Sequence, residues 1–359
     1  MFMPWEQLNN QLIGLKSTCA IARLLNRTMV LPLLGQRKPD SEISKNWDFS
    51  FQVMEFSWHS MYQYFDGDGL DTKLPCSTIS LSNFNALSRH HAVKCQITLD
   101  RLVFNPVAKA TAVNQIEDYY GRILGYDIGK VDDSFSRMSQ LQDSQIRAYF
   151  GNEEAKVLAL GAAFWMYGFG RTQPYPLTRY ENYMDDADYA RMVGALDVSK
   201  RLRDLAIKAT QFVREEYGSK FLAIHVRRGD YWKKCNRIQD IALRAKCFPS
   251  DQTVRNIILH EASRMPASKK REKLVVYVAT NPGEFQNVLN SLRPKIQVIY
   301  YQDVFKRLDM TAPLDSIEAA LLDIELCSRA DVFFGNIYSS FSRAIFEKRE
   351  SKGLGFHTF

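Results

Sequence analysis

Residues 221–230 read FLAIHVRRGD, an apolar run that ends in a histidine, two arginines, a glycine and an aspartate. An apolar run such as Phe221–Val226 is typical of a strand buried on both faces of a parallel sheet. Three more runs predict strands of the same kind, at Leu274–Val278, Ile296–Tyr300 and Val332–Phe334. Helical patterns separate them, at Thr253–Ser263, Glu284–Leu292, Ser316–Arg329 and Ser340–Glu350. The alternation predicts a doubly wound α/β domain, in which ligands bind beyond the carboxyl ends of the strands.

The chain upstream of this domain has an α/β pattern of its own. Apolar residues at steps of three and four predict a helix over about residues 10–25, and a buried strand follows at Met29–Leu31. A further helix is predicted over about residues 198–217, whereas the stretch 35–110 is irregular and predicts no element. At 359 residues the chain is long enough for two domains. We place them at residues 1–197 and 198–359.

Composition excludes several classes of protein. Apolar residues make up 46% of the chain, and 18 Gly and 12 Pro are too few for a fibrous or low-complexity chain. The longest apolar run, Val157–Phe169, is shorter than the roughly 20 residues that cross a bilayer, so no membrane span is expected. The net charge of +7 is diffuse, which favours an anionic ligand such as a nucleotide and gives no argument for nucleic acid.

The six cysteines contain no C-x-x-C pair and no Cys/His cluster with metal spacing, so a zinc site is not expected. Four of them lie in polar, turn-rich stretches. In an oxidising compartment we expect these four to form the pairs Cys76–Cys95 and Cys235–Cys247. Cys19 and Cys327 fall on apolar helix faces and are expected to be buried thiols.

Two adjacent guanidiniums stand at the predicted carboxyl end of the first strand. An arginine fork binds phosphate in a bidentate manner and stays charged, so Arg227 in this place suits the binding of a diphosphate and the stabilisation of its charge as it leaves. Asp230 can orient one of the arginines, and Gly229 lets the backbone turn. The alternative is a structural ion pair in a loop.

The segment Gly335–Ser342 follows another predicted strand and opens the last helix. Hydroxyl residues at a helix N-terminus, where amides point outward, form an anion site. Ser339 or Ser340 can equally serve only as the helix cap. Because Val278–Pro282 ends a third strand with a turn, three strand ends are expected to converge on one ligand.

Three blocks of this sequence together resemble the GDP-fucose-dependent fucosyltransferases, and most closely the protein O-fucosyltransferase branch. The blocks appear in the family's order and span most of the chain. They are Asn10–Gln11 with Ala22–Pro32, His225–Asp230, and Ala319–Asp323 with Ala330–Gly335 and Ser339–Ser342.

The resemblance implies a GT-B fold of two facing Rossmann-like domains, with GDP-fucose in the cleft and held mainly by the C-terminal domain. It also implies roles for single residues. Arg227 matches the arginine that binds the diphosphate, Ser339, Ser340 and Phe341 match the block that lines the nucleotide, Asp323 and His225 match positions near the guanine and ribose, and Asn10 matches an asparagine that reaches the nucleotide sugar from the other lobe.

The N-terminal block departs from the family's pattern. The family has a glycine-rich turn before the asparagine, whereas this chain has Trp5–Asn9 and no glycine before Gly14. Asn9 is therefore an alternative to Asn10. Some relatives use a glutamate just upstream as general base, and Glu6 is the carboxylate available here, whereas other relatives manage without one.

The resemblance implies an inverting transfer of fucose from GDP-fucose to a hydroxyl acceptor, with a serine or threonine of a protein as the first choice. A fucosyltransferase of the α1,2 or α1,6 type acting on a glycan is the alternative, and a catalytically dead nucleotide-sugar-binding relative is a third reading. No metal is expected, and Asp66-Gly67-Asp68 is interpreted as a solvated loop rather than a D-x-D metal site.

Family members act in the lumen of the endoplasmic reticulum or Golgi, and the resemblance implies the same compartment. Met1–Pro4 has neither the basic start nor the apolar core of a signal peptide, so we expect that the chain is truncated or its gene model incomplete.

Overall fold

The computed structural model describes fifteen stretches of the chain, and all structural statements below concern these alone. They are residues 1–4, 7–37, 56–90, 98–99, 101–103, 116–128, 131–132, 143–152, 156–162, 186–217, 220–228, 231–264, 273–280, 285–308 and 314–359.

Helices and strands alternate along most of these stretches. The helices are α1 (Leu8–Leu24), α2 (Leu81–His90), α3 (Asp143–Phe150), α4 (Asp186–Ala195), α5 (Lys200–Glu216), α6 (Tyr231–Cys235), α7 (Ile241–Cys247), α8 (Asp251–Arg264), α9 (Gln286–Leu292), α10 (Tyr301–Arg307), α11 (Ser316–Arg329) and α12 (Ser340–Glu350). The strands are β1 (Phe2–Met3), β2 (Met29–Val30), β3 (Leu33–Arg37), β4 (Phe56–Ser60), β5 (Thr78–Ile79), β6 (Thr98–Leu99), β7 (Arg101–Val103), β8 (Asp127–Ile128), β9 (Val131–Asp132), β10 (Leu158–Ala162), β11 (Phe221–His225), β12 (Leu274–Val278), β13 (Ile296–Ile299), β14 (Val332–Gly335) and β15 (His357–Thr358).

The described residues divide into two compact units between Asp197 and Val198. In the second unit the strands form one parallel sheet in the order β13-β12-β11-β14-β15. The central strand β11 is buried along its whole length because helices cover both faces of the sheet. The predicted doubly wound α/β domain is therefore confirmed, and β12 and α11 have the predicted bounds.

The two faces of this sheet have separate cores. Leu222 and Ile224 pack with residues of α8 and α9 on one face. Ala223 lies on the other face, with residues of α5, α11 and α12. Alternate side chains of a strand point to opposite faces, so a residue's place in the run 221–228 decides which core it meets.

The ends of α11 and α12 are fixed by their own side chains. Asp315 accepts a hydrogen bond from the Glu318 amide at 2.8 Å, and Glu318 accepts one from the Asp315 amide, which forms a capping box at the start of α11. Ser339 is the N-cap of α12, and its Oγ accepts from the Phe341 amide at 3.3 Å. Both helix starts were predicted correctly.

The first unit contains a smaller parallel sheet, in the order β1-β10-β7-β9. Helix α1 is buried along most of its length. Its Gln11 side chain donates to the Gly35 carbonyl at 2.8 Å and accepts from the Gly35 amide at 2.9 Å, so it binds β3 as a neighbouring strand would. The stretch 35–110, which predicted no element, contains the described strands β4 to β7 and helix α2.

Two disulfides are present among the described cysteines. Cys235 pairs with Cys247 as predicted. The other prediction was wrong, because Cys76 pairs with Cys19, their Cα atoms 5.5 Å apart, and Cys19 is not a free thiol. The buried side of α1 brings Cys19 to the turn before β5. The two cysteines are 57 residues apart, and no local sequence pattern predicts their contact. Cys327 is a buried free thiol, and Cys95 lies outside the described residues.

Candidate nucleotide-sugar site

Three strand ends meet in the second unit, as the sequence predicted. His225 at the end of β11 is in register with Gly335 at the end of β14. On the other side, the Ala279 amide donates to the Ile224 carbonyl at 3.0 Å, and Thr280 Oγ1 donates to the Val226 carbonyl at 2.9 Å. The carboxyl edge of the sheet therefore brings the H-V-R-R segment, residues His225–Arg228, together with the loop that precedes α12.

His225 is almost completely buried and has contacts on its ring edge and on its face. Its Nδ1 lies 2.7 Å from Ser342 Oγ, and the Phe341 ring packs on the imidazole with centroids 4.6 Å apart at 32°. Desolvation, followed by repulsion from Arg227, lowers the pKa of His225 to about 3. The imidazole is therefore neutral at physiological pH and can act as a directed hydrogen-bond donor or acceptor.

The two arginines of the segment have different environments. Arg228 is 11% exposed in its side chain, pairs with Asp251 at 2.6 Å, and packs over the rings of Phe248 and Phe285 at 4.5 and 5.2 Å. Arg227 is half-buried, and its guanidinium lies 5.7 Å from the Tyr231 ring centroid. Asp230, the carboxylate expected to orient one arginine, lies outside the described residues together with Gly229.

The loop from β14 to α12 is fixed by Asn336, which is fully buried. Its side chain donates to the Cys247 carbonyl at 2.7 Å and accepts from the Tyr338 amide at 2.9 Å. Tyr231 also donates to the Tyr338 carbonyl, at 2.7 Å. The disulfide-closed segment of α6 and α7 is thus hydrogen-bonded to the loop that presents the α12 N-terminus.

The three residues at the start of α12 have separate tasks. Ser339 is buried and caps the helix, Ser340 is the half-buried first residue, and Phe341 covers His225. Amide groups in a first helical turn, together with the helix dipole, favour an anion. The cap and the anion site that the sequence offered as alternatives are compatible in this geometry.

Asp323 lies on the same side of the sheet as His225. Its carboxylate accepts a hydrogen bond from the Tyr277 hydroxyl, and Tyr277 is in register with Ala223, two residues before His225. Burial raises the pKa of Asp323 to about 7, partly offset by the Tyr277 hydrogen bond. In its ionised form this carboxylate can accept hydrogen bonds from N–H groups.

The predicted residues of the first unit lie at the start of α1. Asn9 is buried, and its Oδ1 has no hydrogen-bond partner among the described residues, whereas Asn10 is half-buried. The choice between Asn9 and Asn10 stays a prediction. Glu6 lies outside the described residues.

Asp66 and Asp68 lie in the first unit, on either side of Gly67. The Asp66 amide donates to the Asp197 carbonyl at 2.9 Å, and the Asp68 carbonyl accepts from Thr72 Oγ1 at 2.6 Å. Within the described stretches no group of three His, Cys, Asp or Glu side chains is placed to hold a metal ion.

The described helices include none that is both long and apolar enough to cross a membrane.

A model of the GDP-fucose protein O-fucosyltransferase family matches residues 6–352. The chain belongs to this family. It is accordingly a fucosyltransferase that uses GDP-fucose, and the resemblance drawn from the three sequence blocks is confirmed. A search of the curated proteins finds no match.

Three solved structures of fucosyltransferases are similar to this chain. POFUT1 in complex with GDP is 16% identical, with 99% of this chain and 97% of that chain covered and a TM-score of 0.66. POFUT1 in complex with GDP-fucose is 16% identical, with 97% and 93% covered and a TM-score of 0.63. The fucosyltransferase NodZ from Bradyrhizobium is 12% identical over 94% and 88%, with a TM-score of 0.43. The similarity to POFUT1 confirms the α/β fold of GT-B type.

Sequence reasoning gave no role to several residues that build this site. Asn336, Ser342 and Tyr231 belong to segments that carry the family resemblance, but no contact is predicted for them. Tyr277 is predicted only as part of a buried strand. The one available signal was the spacing of Cys235 and Cys247, which predicted a closed loop directly after the H-V-R-R segment.

Proposed function

We propose that this fucosyltransferase transfers fucose to a serine or threonine hydroxyl of a protein, with inversion at the anomeric carbon. The observation that carries the proposal is the convergence of Arg227 and the α12 N-terminus at the ends of β11 and β14, which are in register. A diphosphate bound there meets a permanent cation and a set of outward amides. The family's description supports a protein acceptor.

The remaining site residues bind the rest of the donor in this proposal. Asp323 accepts from the base, His225 and Phe341 contact the nucleoside, and Ser339 and Ser340 line the phosphates. A role of Asn9 or Asn10 in binding the sugar stays a prediction of the family resemblance.

In the proposed reaction, the bond between the fucose anomeric carbon and the diphosphate oxygen breaks through an oxocarbenium-like transition state. The acceptor oxygen forms its bond on the opposite face, and its proton passes to Glu6 or, if no general base is used, to solvent. Negative charge grows on GDP, and Arg227 together with the helix N-terminus stabilises it. The proposal needs no metal ion, because these groups supply the positive charge.

The two disulfides support an oxidising compartment. Cys19–Cys76 and Cys235–Cys247 each tie together segments that build a unit of the fold. Disulfides of this kind persist in the secretory pathway and are rare where thiols are kept reduced. We place the protein in the lumen of the endoplasmic reticulum or Golgi.

The experiment is an acceptor panel with GDP-fucose in the presence of chelator. Small disulfide-rich protein domains are compared with oligosaccharides, and GDP release and product mass are measured. Fucose on a serine or threonine, released by elimination, supports the proposal. Fucose found only on an oligosaccharide favours a fucosyltransferase that acts on glycans. GDP binding without turnover of either class of acceptor favours a binding protein. Glu6→Gln in the same assay tests the general base.

A further inference from the structure

The hydroxyl of Ser342 lies between His225 and the backbone of the loop that joins β14 to α12. Ser342 is completely buried, and its Oγ is 2.9 Å from the Asn336 amide nitrogen and 2.7 Å from His225 Nδ1. The amide can only donate, so one lone pair of the hydroxyl is occupied by Asn336. The protonation state of Nδ1 then depends on where the hydroxyl hydrogen points.

A count of hydrogens assigns the direction of this bond. The described structure gives Ser342 Oγ no partner besides Asn336 and His225. If Nδ1 carried a hydrogen, it would donate to Oγ, and the hydroxyl hydrogen would be buried without an acceptor. An unpaired buried donor costs about 1–3 kcal/mol. If the hydroxyl donates to an unprotonated Nδ1, the hydrogens of the Asn336 amide and of the Ser342 hydroxyl are both paired. The remaining hydrogen then lies on Nε2, which is not among the fully buried, unpaired atoms of the described residues and can pair with a ligand or with solvent.

A neutral imidazole with a free Nδ1 lone pair carries its hydrogen on Nε2. His225 is neutral because its environment is desolvated and close to Arg227. The ring cannot rotate freely, because Phe341 covers one face and Ser342 holds one edge. The Nε2–H therefore has both a defined tautomer and a defined direction.

We propose that Ser342 is a positioning residue, which fixes His225 as an Nε2–H donor toward an oxygen of the bound donor nucleotide. This inference rests on the proposed nucleotide site. It adds a requirement that the segment His225–Arg228 alone does not contain, namely a hydroxyl one residue after Phe341. Serine or threonine meets the requirement, whereas alanine removes the hydrogen that defines the tautomer.

The test reads the tautomer first in the unmodified, ligand-free protein. In protein labelled with ¹⁵N-histidine, two-bond correlation spectra distinguish protonated from unprotonated ring nitrogens, and His225→Gln identifies the signals by their loss. We expect a single Nε2–H tautomer for His225 that does not titrate between pH 5 and pH 8. An Nδ1–H tautomer or a protonated ring in the folded wild-type protein overturns the inference.

The second arm measures GDP binding by calorimetry in three variants. Ser342→Ala is expected to weaken GDP binding about tenfold, the equivalent of one hydrogen bond, and to give a mixture of tautomers. Ser342→Thr is expected to restore both. Ser328→Ala is the matched control, because Ser328 is an equally buried helix hydroxyl that also has two hydrogen bonds. It donates to the Glu325 carbonyl at 2.8 Å and accepts from Lys352 Nζ at 3.2 Å.

The outcomes separate this inference from the proposed function. If the wild-type protein does not bind GDP, the proposed nucleotide site is wrong. The tautomer measured for His225 then decides by itself whether the Ser342 hydroxyl donates to Nδ1. Unchanged GDP affinity and an unchanged tautomer in a folded Ser342→Ala protein overturn the positioning role. If Ser342→Ala does not fold, the wild-type tautomer and the Ser342→Thr affinity still decide.

Discussion

Arg227 and Arg228 are neighbours in the chain, yet they belong to two different regions of the second unit. Arg228 lies on the side of α8 and α9, where Asp251, Phe248 and Phe285 surround its guanidinium. Arg227 follows His225 on the side of α6 and α12, where it lies over Tyr231. Two identical charges therefore have separate tasks. One stabilises the packing of the domain, and the other is directed to the ligand in the proposed site.

Replacing Arg227 tests this division with the largest expected effect. Arg227→Ala should lower kcat on the order of a hundred- to a thousand-fold, because it removes one donor from charge that grows in the transition state. Arg227→Lys should recover little, since an ammonium lacks the planar fork. Single-turnover kinetics measure the loss, and thermal unfolding should be nearly unchanged. A folded variant with normal turnover contradicts the assignment.

Replacing Arg228 should give the opposite balance. Arg228→Ala removes a partly buried ion pair and two cation–π contacts, so a loss of about 1–3 kcal/mol in the free energy of unfolding is expected. Turnover per folded molecule should fall far less than for Arg227→Ala. Denaturant unfolding and active-site titration with GDP together measure this. Equal losses of turnover in the two variants would remove the distinction between the two regions.

Asp323 adds a third case to the comparison of Arg227 with Arg228. Its carboxyl is expected to favour GDP binding and to lower the stability of the fold. Its folded pKa is about 7, above the usual value near 4. The carboxyl therefore contributes stability below about pH 4, and this contribution is lost as the pH rises through about 7. Asp323→Asn should melt above the wild type at pH 8, with a smaller difference at pH 5, and should bind GDP more weakly. Calorimetry at both pH values measures both effects.

The smallest expected effect is that of metal removal. GDP binding should be unchanged in chelator, because Arg227 and the α12 N-terminus supply the positive charge in the proposed site. Asp66→Asn and Asp68→Asn serve as paired variants with and without Mn²⁺. The prediction is contradicted if GDP binding is lost in EDTA and restored by Mn²⁺, and if either variant prevents that restoration. A metal site in the first unit would then neutralise the charge.

Much of the second unit was predictable from the sequence alone. Its strands are buried on both faces, so each appears as a continuous apolar run, and the helices between them have a regular period. The first unit was harder to predict. Several of its strands have only two residues, and a strand of that length has no period to detect. Gln11 binds β3 through a contact that no local pattern contains.

The sequence by itself determined the family, the strand ends and the residue types of the site, because these depend on local patterns and on motifs in a fixed order. Only the tertiary structure decided which partner each residue has. It paired Cys19 with Cys76, separated Arg227 from Arg228, and placed Ser342 against His225 across 117 residues of chain. Such pairings depend on which faces of distant elements pack together, and a linear pattern carries no information about that choice.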